Sequence, residues 1–89
     1  MKIFFFMGRN PNNKSGVSWK IWKIERTGHI VTTWWGPARL HSRKVVPVGT
    51  LQSNRSQFGS VAGASKYESD RIQSKLSKDY ERRPRGRSV

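Results

Sequence analysis

Up to about residue 48 the chain repeats apolar and polar positions with the period of strands, and from residue 60 the period becomes that of a helix. KIFFFM, residues 2–7, is an aromatic-rich run that predicts a strand. GRNPNNKSG, residues 8–16, predicts an irregular loop. VSWKIWKIE, residues 17–25, is the next strand. Lys20, Trp22 and Ile24 share one face, and Trp19, Ile21 and Lys23 the other. Apolar side chains on both faces mark a central strand covered at least partly on each side. Arg26-Thr27-Gly28 then reads as a tight turn into HIVTTWW, residues 29–35, making the two runs a hairpin. Gly36-Pro37 is expected to end that strand, because proline has no N–H to give a ladder. KVVPV, residues 44–48, predicts a fourth strand at an edge, and GTLQSNRSQFG, residues 49–59, a loop with a short strand around Leu51.

Ser60 is a good N-cap, and after it Val61, Ala64, Ile72 and Leu76 fall on one face of a helix of about five turns, with Glu68 interrupting the stripe. RRPRGRSV, residues 82–89, predicts a mobile basic tail. The fold expected is α+β: a small antiparallel sheet of four to five strands with one α-helix packed on one face, a single domain over residues 1–81 followed by the tail 82–89.

Composition narrows what such a fold does. At 89 residues, 34% of them hydrophobic, the core has to lean on four Trp, four Phe and two Tyr. The absence of cysteine removes disulfides and thiolate metal sites and suits a reducing compartment. The apolar run near the N-terminus is shorter than a signal-peptide core of roughly 7–15 residues or a span of about 20. A soluble cytoplasmic protein with no membrane partner is therefore expected. Eighteen Lys and Arg against five Asp and Glu leave a formal charge of +13. Self-repulsion on that scale is relieved by a polyanion, with nucleic acid the foremost candidate.

The candidate chemistry is binding rather than catalysis. His29 and His41 are the two histidines, and neither stands in a nucleophile arrangement; no metal-ligand spacing or phosphate-cradling glycine loop emerges. The chain is read as a non-enzyme without cofactor or metal. TTWWGPARLH, residues 32–41, sets Trp34 and Trp35 side by side, and neighbouring strand residues point to opposite faces. Trp34 is assigned to packing and Trp35 to stacking on a flat ligand. Arg39, His41, Arg43 and Lys44 follow the Gly-Pro and are candidate phosphate contacts. Lys75 and Lys78, with Arg71 nearby on the helix, extend that surface, and Arg82 and Arg83 open the basic tail.

Several segments in order resemble the WGR domain family. NNKSGVSWKIWKIE resembles the family's Asn/Lys segment and aromatic-led strand, and GHIVTTWWG its next strand with the signature Trp-Gly at Trp35 and Gly36. FGSVAGA, with Phe58, Ser60 and Ala64, resembles the entry to the helix; Lys75, Lys78 and Tyr80 resemble its end. The signature Arg is Pro37 here, the helix-end Gly is Asp79, and Glu68 stands where the helix carries an aromatic. The resemblance implies a sheet of four or five antiparallel strands with one helix, and a module that contacts DNA at strand breaks with Trp35 stacking near the strand end. Arg39 and Arg43 are both open as replacements for the missing guanidinium.

The function expected is nucleic-acid binding, DNA over RNA, with low sequence specificity and a leaning to strand ends or breaks. The alternative is a protein-interaction module that docks on a partner and regulates it. An anionic lipid surface is a weaker third, since no strongly amphipathic apolar face is evident. The sequence leaves the oligomeric state open.

Overall fold

The computed structural model describes residues 1–9, 11–12 and 16–82. Asn10 and residues 13–15 of the loop after the first strand, and Arg83 with the remainder of the tail, lie outside the described residues.

Two long strands carry the sheet: β2, Val17–Thr27, and β3, Ile30–His41. Gly28 and His29 join them, with Thr27 facing Ile30 across the turn and Gly28 at a φ of 61°. Glycine supplies that positive φ without steric cost, as the first central residue of a two-residue hairpin turn must. β1, Lys2–Arg9, pairs antiparallel with the other edge of β2, so β2 is central as its two-faced pattern predicts.

β3 does not end at Gly36-Pro37. It runs to His41, and the segment carrying Arg39 and His41 is strand rather than loop. The reason lies in its outer edge. β5, Gln52–Gln57, pairs with Ile30 to Trp35, whereas β4, Lys44–Pro47, pairs with Ala38 to His41. Pro37 falls between the two partners, where a missing N–H breaks no ladder bond, and its carbonyl accepts from the Val48 N–H at 3.0 Å. β5 itself lies within the stretch expected to be mostly loop. QSNRSQ has no apolar member to betray a strand, and what holds it is the backbone ladder to β3. Leu51 sits just before it, against Gly36, on the face opposite the helix.

The helix α1, Val61–Ser77, packs on one face of the sheet. Phe4, Trp22, Ile24 and Val31 from three strands and Ala64 from α1 form a fully buried cluster, edged by Trp35, Phe58, Tyr67, Ile72 and Tyr80. Each large side chain removed from water there contributes roughly 1.5–3 kcal/mol. The helix meets the sheet along a stripe rotated from the one its spacing suggested. Ala64, Tyr67 and Ile72 face inward, while Val61 and Leu76 are 54% and 42% exposed. Glu68 faces the sheet because Arg26 is there to receive it: Arg26 Nε donates to Glu68 Oε1 at 3.3 Å. The apparent interruption of the stripe is an ion pair tying the helix to the β2–β3 hairpin.

Both helix ends are capped. Ser60 Oγ accepts from the Gly63 N–H at 3.0 Å. At the other end the Asp79 N–H donates to Leu76 O and the Tyr80 N–H to Lys75 O, with Asp79 at a φ of 69°. This paired arrangement reverses the chain. It drops Tyr80 onto Phe6, ring centroids 5.3 Å apart, and brings Glu81 against Phe5, their backbones exchanging two hydrogen bonds.

The reverse face carries Trp19, Ile21, Ala38 and Val45, edged by Ile3, Phe5 and Leu51. The architecture is α+β, a five-stranded antiparallel sheet with one helix against it. Among the described residues no helix is long and apolar enough to cross a membrane.

Candidate nucleic-acid interface

The two-residue turn at Gly28-His29 sets Trp22 opposite Trp35. Trp35 therefore lies on the helix face, and Trp34, opposite Lys23, on the reverse face. Both are half-buried, and Trp35 leans on the helix-side core. Trp35 is not thereby sealed. It lines two clefts beside the C-terminal half of α1. One, of about 280 Å³, is lined by Thr33, Trp35 and Asn54 from the sheet and Tyr67, Arg71 and Lys75 from the helix. The other, of about 370 Å³, includes Lys20, Trp35, Pro37, Lys75 and Tyr80. Among the described residues no carboxylate lines either cleft.

Lys75 stands between them. Arg71, Lys75 and Lys78 recur at helical spacing and share one side of α1. Lys20 joins them from β2, on the face of Trp22. The Lys75 ammonium lies 5.5 Å from the Trp22 ring centroid and 5.1 Å from that of Tyr80. Partial burial, and then the charges of Arg71, Lys78 and Lys20, hold its pKa below the ordinary 10.5. Burial raises the Tyr80 phenol. Other cations lie over rings of the same face: Arg71 over Tyr67, Lys20 over Phe6 and Arg82 over Phe4, at 5.9, 5.7 and 5.2 Å. Each such contact contributes about 0.5–1 kcal/mol where exposed. It also fixes the position of a charge that solvent would otherwise leave free.

Of the residues singled out in the sequence, Trp35 and Lys75 are brought into contact with the same clefts, Lys78 lies within the field of Lys75, and Arg82 lies over Phe4 on the helix side. Arg39, His41, Arg43 and Lys44 belong to the β3–β4 hairpin, whose turn is Ser42-Arg43. All four are exposed. At about 3.3 Å per residue the hairpin end stands roughly 20 Å from Trp35 along β3. Arg39 is nearest and lines a third cleft, which shares Ser18, Trp19 and Pro37 with the larger of the two at Trp35. The hairpin turn is thus a further basic region, joined to the first through Arg39. Arg83 lies outside the described residues.

Sequence reasoning passed over Thr33, Asn54 and Tyr67. Thr33 and Asn54 are register partners on β3 and β5, and no pattern in QSNRSQ announces that pairing. Tyr67 was legible as the residue one position before Glu68, had the helix stripe been drawn through it. Among the described residues no three His, Cys, Asp or Glu side chains are grouped to hold a metal ion. Comparisons of the chain with protein-family models, curated proteins and solved structures gave no match.

Proposed function

We propose that this protein binds nucleic acid, DNA over RNA, through the helix-side surface centred on Trp35, with little dependence on sequence along most of the bound strand. The observation that carries the reading is the meeting of the Trp35 indole with Lys20, Arg71 and Lys75 in two clefts that no carboxylate among the described residues lines, with Lys78 close enough to act on Lys75. Fixed cations contact phosphates, and an indole stacks on any base because every base presents a π-face. The reading includes kinship of type with WGR domains. A five-stranded sheet with one helix supports it, as does the positive φ at Asp79, where those domains carry glycine. Lys20 faces Pro37 directly across the ladder and is the cation best placed to stand in for the missing signature guanidinium.

The test is a titration of labelled single-stranded, nicked and continuous duplex oligonucleotides over a range of salt. Log affinity is expected to fall linearly against log salt, with a slope of about −0.9 per phosphate contact on duplex. Trp35→Ala is expected to weaken binding to single strands and nicks by about 1–3 kcal/mol and to continuous duplex by less. Equal losses on every substrate would remove end-stacking from the account, and affinity indifferent to salt would remove phosphate contact.

A further inference from the structure

The cleft lined by Thr33, Asn54, Tyr67, Arg71 and Lys75 has a composition that phosphate contact alone does not call for. We propose that it receives one unstacked nucleotide and reads its base, with adenine preferred. This rests on the nucleic-acid reading and deepens it, adding a single selective position to an otherwise sequence-tolerant surface.

The size fits one base and its phosphate. At about 280 Å³ the cleft is just below the roughly 300 Å³ at which the range of small-ligand pockets begins. Its two sides differ in chemistry. From α1 come the Arg71 guanidinium and the Lys75 ammonium, suited to a phosphate, together with the Tyr67 ring. From the sheet come two indoles, a hydroxyl and an amide: Trp22, Trp35, Thr33 and Asn54. Asn54 is the decisive group. Its Nδ2 donates to Ser56 Oγ at 3.2 Å, which orients the amide and leaves the second Nδ2 hydrogen and Oδ1 without a partner among the described residues. An amide that offers one donor beside one acceptor matches the N6–H and N7 edge of adenine. Thr33 pairs with Asn54 across the ladder and lines the same cleft, so its hydroxyl is a second polar group on the sheet side.

The same chemistry is offered by a nucleotide within a strand and by a free mononucleotide. The experiment separates them. Binding of the full chain is measured by tryptophan fluorescence with AMP, CMP, GMP and UMP, and by anisotropy with hairpin duplexes carrying one unpaired A, C, G or T and a fully paired control. Wild type is expected to favour the unpaired A by about tenfold over the other bases. Asn54→Ala is expected to abolish that preference, so that the four unpaired bases bind with equal affinity. Asn54→Asp, which removes the donor, is expected to lose it too. A preference seen with AMP but not with the unpaired A would overturn the strand-borne nucleotide as the ligand. Tight oligonucleotide binding with no base preference, or a preference that survives Asn54→Ala, would overturn the pocket and spare the general reading. Failure to bind any oligonucleotide would bring down both.

Discussion

Lys75 shows how a single residue at this surface is held against its own stability. Its ammonium is partly buried among Arg71, Lys78 and Lys20, and the folded state releases its proton more readily than an unfolded chain would. With the folded pKa below the unfolded value, the unfolded state carries more protons between the two, so stability rises as pH climbs through that interval below 10.5. Lys75→Met is therefore expected to unfold at no lower temperature than wild type at neutral pH, while losing affinity for DNA. Oligonucleotide affinity of the wild type is expected to fall more than that of Lys75→Met as pH rises from 7 toward 10. Thermal melts and anisotropy on the two proteins check both parts. A core residue behaves in the opposite way. Ala64 is fully buried where α1 meets the sheet, and Ala64→Leu is expected to lower stability by about 1–3 kcal/mol in a denaturant titration, because overpacking has no space to enter.

At the scale of elements, the ends of α1 carry the sharpest expectations. Ser60→Ala removes the acceptor for the Gly63 N–H and is expected to cost about 1 kcal/mol. Asp79 occupies a left-handed position that glycine adopts freely, and its carboxylate follows the negative end of the helix. Asp79→Gly is expected to raise stability by up to about 1 kcal/mol, read as a shift of the denaturation midpoint at constant slope. The elements also show what the sequence could and could not disclose. Trp22 and Ile24 alternating with Trp19 and Ile21 made β2 central, and Ser60 marked the start of α1, because burial and capping are local demands. Register is not local. A three-residue turn at Arg26–Gly28 would pair Trp22 with Thr32, whereas the observed turn at Gly28-His29 pairs it with Trp35. That odd shift exchanges the faces of Trp34 and Trp35. Pro37 likewise stops a strand only where its missing N–H has a partner to lose, and its place between β5 and β4 depends on pairings distant in the chain. The cleft at Trp35 was invisible for the same reason. Its lining comes from β2, β3, β5 and α1 at once.

Over the whole molecule, +13 charges on 89 residues set the folded state against itself. Just two salt bridges join the described residues, Arg26 to Glu68 and Lys66 to Asp70, so most cations have no carboxylate within bonding range there. Added salt is expected to raise the melting temperature by screening that repulsion, with most of the effect below about 0.15 M, where the screening length falls to roughly 8 Å. A short oligonucleotide at about 100 times its Kd is expected to stabilise by about 2.7 kcal/mol beyond that, provided it binds the folded state alone. Calorimetry at fixed ionic strength separates the two effects. The β3–β4 hairpin, with Arg39, His41, Arg43 and Lys44, extends beyond Trp35 along β3 and is expected to add to a polyanion's attraction through charge. Removing its cations is expected to reduce the salt slope while leaving the difference between nicked and continuous duplex intact.

The central claim is that the Trp35 face, rather than the molecule's charge at large, engages nucleic acid. A two-dimensional NMR titration of the labelled protein with a nicked hairpin oligonucleotide, at low and at near-physiological salt, tests it most directly. The account predicts that the Trp35 indole N–H and the backbone amides of Lys20, Thr33, Asn54, Arg71 and Lys75 shift together and persist in shifting at the higher salt. An unmoved Trp35 indole, with small shifts spread over the hairpin and all faces that vanish as salt rises, would contradict it.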